Sequence, residues 1–203
     1  PNFEEFLQYV MNGDINKIKV LQEFIGYCLT NHCRYEKALF MVGGGQNGKG
    51  TFTNTILNLF GQDNVSAAGL EDIADPCSRA SLINKIVNID TEVDRRAERF
   101  ETIFRKISSG EYTLYNEKYI PAYSQAIRCK LIFSANKMPR IDESTFGFYR
   151  RMLIIPFDVV IPEDKKDINL KVKLLSELPG ILNWALDGYR RLSNNGRFST
   201  TAY

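Results

Sequence analysis

The sequence predicts an α/β fold: a parallel sheet flanked by helices, with a short helical lead-in before it. Two observations carry this prediction. A short apolar run without polar alternation, residues 38–42, is the mark of a strand buried on both faces, and residues 85–90 read as a second strand. Stretches with apolar residues at helical spacing separate those strands, which is the order of an α/β sheet with a helix on either face. In such sheets ligands bind beyond the carboxyl ends of the strands. The chemistry is therefore expected just after Val42, Asp90, Ser134 and Phe157.

The elements follow in order. In residues 1–30, Phe3, Phe6, Leu7, Val10 and Met11 recur at helical spacing, and Gly13 stops that helix. Asp14 is the N-cap of a second helix with the stripe Ile18, Leu21, Ile25 and Leu29. Residues 32–37 are polar and loop-like. Ala38, Leu39, Phe40, Met41 and Val42 form the first strand, halted by three glycines. Residues 52–60 return to helical spacing, with Gly61 as the stop. Residues 85–90 are the second strand. Residues 96–109 read as a helix with Phe100, Ile103, Phe104 and Ile107 on one face. Residues 128–134 and 151–157 are the third and fourth strands. Pro179 suits the first turn of a last helix, with Ile181, Leu182, Ala185, Leu186 and Tyr189 inward. The expected division is a lead-in over 1–36 and a core over 37–203.

Composition excludes several functions. The chain has 203 residues, 44% hydrophobic and 25% charged, the balance of an ordinary globular domain. Its net charge of +2 is too small to argue nucleic-acid binding from bulk charge. His32 is the one histidine, which excludes a zinc site with two histidine ligands. Cys28, Cys33, Cys77 and Cys129 form no C-x-x-C pair; Cys28 and Cys33 read as buried thiols at a helix end, and scattered thiols fit a reducing compartment. No apolar run reaches the ~18 residues of a membrane span, so no membrane partner is expected. The chain opens on Pro1 rather than Met, which predicts a piece of a longer protein.

Gly43, Gly44, Gly45, Gln46, Asn47, Gly48, Lys49, Gly50 and Thr51 follow the first strand and open a helix. Residues 43–49 fit G-x-x-x-x-G-K. Glycines let backbone N–H groups converge on phosphate oxygens, and the helix N-terminus adds its positive end. Lys49 reaches the outer phosphates as a point charge. The loop thus predicts a bound nucleotide. Gly50 stands where Ser or Thr usually ligates magnesium, so Thr51 or a water must serve.

Three further polar groups fall near strand termini. Asp90 and Glu92 sit two apart at the end of the second strand, so they share a face. One suits the metal and one the water-orienting base, in either order, with Asp94 a weaker third; a cap pair before the next helix is the competing reading. Asn136 ends the third strand, where it can bond a γ-phosphate or the attacking water, or simply make a turn. Arg150 and Arg151 precede the fourth strand; an arginine there can neutralise a transferring phosphoryl group, in cis or from a neighbouring subunit. One of the pair is expected to bridge to surface acids.

Between residues 112 and 120 the sequence reads as two short strands around Asn116, Glu117 and Lys118. Lys118 and Tyr119, with Tyr115 and Tyr123, suit a contact that tracks a nucleic-acid backbone and stacks bases on rings. Tyrosine also favours strands for its own sake.

This ordered set resembles the superfamily 3 helicases, in particular the phage- and plasmid-type primase–helicases and their poxvirus relatives. Asn47, Gly48 and Lys49 resemble their Walker A motif, residues 89–92 (Ile-Asp-Thr-Glu) their Walker B, and residues 131–139 their motif C, with Asn136 as sensor. Residues 148–157 resemble the segment with their arginine finger, Lys118 falls at their hairpin lysine, and residues 21–30 resemble their helical lead-in. The resemblance implies a P-loop NTPase core of AAA+ type that binds ATP and Mg²⁺ between subunits of a homo-oligomeric ring, usually a hexamer. It implies Arg150 or Arg151 reaching across the interface and hairpins stepping along single-stranded or forked DNA. It further implies a primase region and a winged-helix segment elsewhere in the full-length chain, and a cytoplasmic setting in a bacterium or virus-infected cell. Two rivals stand beside it. The ending Gly-Lys-Gly-Thr also suits a nucleotide or small-molecule kinase, and an ATP-gated DNA-binding module needs no translocation.

Overall fold

The computed structural model describes residues 1–91, 100–116, 119–137 and 146–200. Helices α1 (Asn2–Val10) and α2 (Ile15–Cys28) form the lead-in. Asp14 caps α2, accepting from the N–H groups of Asn16 at 3.0 Å and Lys17 at 3.1 Å. The chain continues through β1 (Ala38–Val42), α3 (Lys49–Phe60), β2 (Val65–Ser66), α4 (Leu70–Ala74), β3 (Val87–Asp90) and α5 (Glu101–Ser109). Then come β4 (Tyr112–Tyr115), β5 (Tyr123–Ala126), β6 (Lys130–Ala135), α6 (Phe146–Tyr149), β7 (Met152–Pro156), α7 (Leu170–Ser176) and α8 (Leu178–Asn195).

Five strands form one parallel sheet in the order β2-β3-β6-β1-β7. β1 lies between two strands that come much later in the chain. Val42 is level with Ala135 on one side and Pro156 on the other. Asp90 is level with Phe133. The carboxyl ends of β1, β3, β6 and β7 therefore share one edge, as the sequence predicts.

The apolar run of β1 is explained by burial on both faces. Leu39 and Met41 join Phe24, Phe52, Ile56 and Ile181 in a core shared with the lead-in and α8. Ala38 and Phe40 face the other way, toward Phe104, Ile107, Leu131 and Phe133. Each large apolar side chain so buried contributes roughly 1.5–3 kcal/mol. β7 is one of the sheet's two edge strands and leaves Ile154 partly exposed.

Four features differ from the sequence reading. The small hairpin pairs β4 with β5 in antiparallel register, Tyr115 opposite Tyr123, so its second strand starts later than residue 120. Pro121 has no N–H for a ladder, which disfavours an earlier start. Helix α5 begins at Glu101, and the expected start at Arg96 lies outside the described residues. The inward stripe of α8 is Ile181, Ala185, Gly188 and Leu192, while Leu182 and Leu186 are exposed. The reason is the crossing with α2: a Cβ at Gly188 would lie 2.4 Å from the Gln22 carbonyl, and one at Gly26 would lie 2.1 Å from that of Ala185. Backbone-to-backbone contact at the two glycines sets the rotation of α8. Finally, β2, α4 and α7 are short elements that the reading missed. Cys28 and Cys33 are buried thiols at the end of α2, as expected.

Candidate functional site

The loop between β1 and α3 is held from behind. Asn47 is buried; its Nδ2 donates to the Phe157 carbonyl at 3.0 Å and to the Gly44 carbonyl. The Ile161 N–H donates to the Gln46 carbonyl at 2.8 Å. A Cβ at Gly43 would lie 2.2 Å from the Phe157 carbonyl, so only glycine fits there. Gly48 has φ +87 and backs onto Val10 and Phe6 of α1. By contrast, a Cβ at Gly44, Gly45 or Gly50 meets no described atom within 4 Å. The glycines divide into two that pack the loop's back and three that leave bare backbone on its outer side.

Lys49, at the first turn of α3, is only 7% exposed. Its Nζ donates to the carbonyls of Gly43 and Gly44, the latter at 3.1 Å, and to Asn47 Oδ1 at 3.3 Å. These partners are all neutral oxygens. Burial holds the ammonium's pKa below the ordinary lysine value. A buried cation with no carboxylate partner among the described residues, beside bare N–H groups and a helix N-terminus, is suited to an anion of high charge density. The donor set therefore fits a phosphate.

Beside the loop runs a groove of about 770 Å³. Phe6 and Tyr9 of α1, Gly48 and Thr51 at the start of α3, and Ile161 and Lys171 line it. Phe6 and Tyr9 were not expected at a site. Their spacing signals only an amphipathic helix, and the groove exists because α1 folds against the loop.

The remaining site residues are dispersed. Asn136 follows Ala135, whose carbonyl accepts from the Gly43 N–H at 3.1 Å; Asn136 is exposed at the loop's flank. Asp90 is farther off. β6 separates it from β1, which is two strand spacings or about 10 Å. Its carboxylate lies by Gly69, at the start of α4. Thr51 and Asp90 belong to different elements, and no group of three metal-ligating side chains occurs among the described residues. Glu92, Asp94 and Lys118 lie outside the described residues. Tyr119, beyond the hairpin tip, is fully exposed with φ +67.

Arg150 and Arg151 occupy the opposite edge of the sheet. The Arg151 carbonyl accepts from the Ala38 N–H at 2.8 Å, at the amino end of β1. The length of β1, roughly 13 Å, separates them from the glycine-rich loop. The two also differ from each other. The Arg151 side chain is 9% exposed, bonded to Glu36 at 2.8 Å, the Gly147 carbonyl at 2.6 Å and Ser109 at 3.0 Å. The Arg150 side chain is 52% exposed and pairs with Glu36 at 3.2 Å. Both arginines thus bridge to the same half-exposed acid, Arg150 from the surface and Arg151 from a buried position.

Fold and loop together define a parallel α/β protein with a glycine-rich loop at the carboxyl end of a central strand of its sheet. A family model described as a family of unknown function, DUF5906, matches residues 41–151, more than half of the chain, and the protein belongs to that family. Its fold is similar to that of solved apo structures of the NrS-1 C-terminal region. One is 15% identical with a TM-score of 0.75, covering 91% of this chain and 45% of that one. A second is 14% identical with a TM-score of 0.74, covering 99% and 52%. A third is 16% identical with a TM-score of 0.71, covering 91% and 44%. The chain thus spans about half the length of these neighbours. At such identities the likeness is one of fold. Among the described residues, no helix is long and apolar enough to cross a membrane.

Proposed function

We propose that this protein is the ATP-hydrolysing core of a ring-forming DNA helicase, of the superfamily 3 type found in phage and plasmid primase–helicases. The observation that carries the reading is the Lys49 ammonium, buried against neutral oxygens beside the bare backbone of Gly44, Gly45 and Gly50. In this reading it exchanges carbonyl partners for the β- and γ-phosphate oxygens of ATP. The base and ribose enter the groove at Phe6 and Tyr9. Asn136 bonds the γ-phosphate or the attacking water, and Asp90 and Glu92 divide metal binding and base catalysis between them. Thr51 and Asp90 would hold Mg²⁺, which would supply charge neutralisation on the phosphates. Arg150, remote from its own loop, serves the nucleotide of the next subunit in a homo-oligomeric ring, a hexamer. The β4–β5 hairpin offers Tyr119 and Lys118 to single-stranded DNA. A primase region belongs to the full-length chain.

The test is steady-state ATP hydrolysis at high protein concentration, with and without single-stranded DNA and with no phosphate acceptor. Turnover stimulated by DNA and lost in Lys49→Ala supports a motor. ADP formed only when an acceptor is added points to a kinase. Tight nucleotide binding without turnover points to an ATP-gated binding module.

A further inference from the structure

One carboxylate oxygen serves both arginines at the amino edge of the sheet. Glu36 Oε2 lies 2.8 Å from Arg151 Nη2 and 3.2 Å from Arg150 Nη2. The two contacts are unequal in setting. Arg151 is buried and anchored by Gly147 and Ser109 as well. Arg150 is exposed, and its carbonyl accepts from the Lys37 ammonium. The turn before β1 aims the carboxylate: the Glu36 N–H donates to the Cys33 carbonyl at 2.9 Å, and Glu36 itself has φ +51. A glutamate in the left-handed region is unfavourable and persists only where its surroundings over-determine it. Here Arg151 supplies that constraint. Glu36 is thus fixed to the buried arginine, and Arg150 is the partner free to leave.

We propose that Glu36 is an intramolecular latch on Arg150, occupying its guanidinium until the polyphosphate on a second copy's loop displaces the carboxylate. The inference rests on the ATPase reading above. An exposed Arg–Glu pair is weak and screened by salt. A triphosphate carries more charge and presents paired oxygens to the same planar fork, so it wins the exchange. Arg151 keeps the released carboxylate at the sheet edge, away from the incoming phosphates. The latch thereby lowers the reactivity of an unassembled subunit.

Two measurements on the same chain test this. In dilute protein, labelling of Arg150 by phenylglyoxal, followed by mass spectrometry, is expected to run severalfold faster in Glu36→Gln than in the wild type. Arg151 is the internal control, because its buried fork stays unreactive unless the edge unfolds. Should Glu36→Gln expose Arg151, Glu36→Asp takes its place, keeping the charge but drawing it back by one methylene. In the second measurement, ATP turnover per subunit is followed against protein concentration. Glu36→Gln is expected to reach half-maximal turnover at severalfold lower concentration. Equal labelling rates overturn the latch. So does faster labelling with an unchanged or weakened concentration dependence. Faster labelling in a protein with no turnover at any concentration overturns the ATPase reading and, with it, the role given to the ion pair.

Discussion

Asn47 ties the glycine-rich loop to the residue just past β7, the strand beside β1, its Nδ2 donating to the Phe157 carbonyl across 3.0 Å. The same side chain accepts from the Lys49 ammonium through Oδ1. One buried amide thus fixes both the loop's path and the position of its cation. Asn47→Ala leaves the Phe157 and Gly44 carbonyls without this donor. The expected cost is about 1–3 kcal/mol of stability. Nucleotide affinity is expected to fall further than stability alone explains, as read by calorimetric titration below the melting range.

Lys49→Ala removes the cation and little of the fold. Its partners are carbonyls at the sheet edge, which water can reach once the ammonium is gone. Melting temperature is expected to hold within a few degrees, while hydrolysis disappears and nucleotide binding weakens at least tenfold. Normal turnover in this variant would sink the proposed site.

Gly48→Ala probes the loop's contact with α1. The left-handed backbone costs alanine about 1 kcal/mol or more. The new Cβ would also lie 2.7 Å from Val10 and 3.0 Å from Phe6. Together these predict a loss of roughly 2–4 kcal/mol by denaturant titration. A neutral result would mean that α1 does not sit against the loop.

The two arginines separate by experiment. Arg151→Ala leaves a buried site half empty and is expected to destabilise the fold by about 2–4 kcal/mol. Arg150→Ala leaves melting unchanged and abolishes turnover. Mixing Arg150→Ala with Lys49→Ala subunits is expected to restore part of the activity, because a mixed interface pairs an intact loop with an intact Arg150. No recovery on mixing would argue against service between subunits.

His32, as the one histidine, gives a clean titration. Burial, then the charges of Lys130, Arg34 and Arg128, hold its pKa below the ordinary 6.5. Nε2 sits 3.2 Å from the Tyr189 hydroxyl, and Nδ1 has no partner among the described residues. The folded state therefore takes up its proton later than the unfolded state as pH falls. Stability is expected to decline from about pH 6.5 downward, until the depressed folded pKa is passed. His32→Gln should flatten that part of the slope of melting temperature against pH. An identical slope would place the titration elsewhere.

The strands and the loop were legible because their signals are local. Five apolar residues followed by three glycines describe a buried strand and its exit without reference to the rest of the chain. The same holds for Asp14, whose side chain caps the very next turn. The face of α8 was not legible: Leu182 and Leu186 match Ile181 and Ala185 in helical spacing, and only the glycine contacts with α2 decide between them. Nor does the sequence order of β1, β3 and β6 reveal that Asp90 stands a full strand beyond Asn136.

Sequence alone therefore determined the class of fold, the glycine-rich loop after β1, and the place of Lys49 and Asn136 at the same sheet edge. Each is written in contiguous residues whose chemistry acts over one or two turns of chain. The tertiary structure decided what needs distance. It placed Arg150 and Arg151 on the edge away from the loop, and buried one of them. It also built a groove from Phe6 and Tyr9 and set Glu36 between the two arginines. These relations depend on strand order and packing across residues far apart in the chain, which no local pattern encodes.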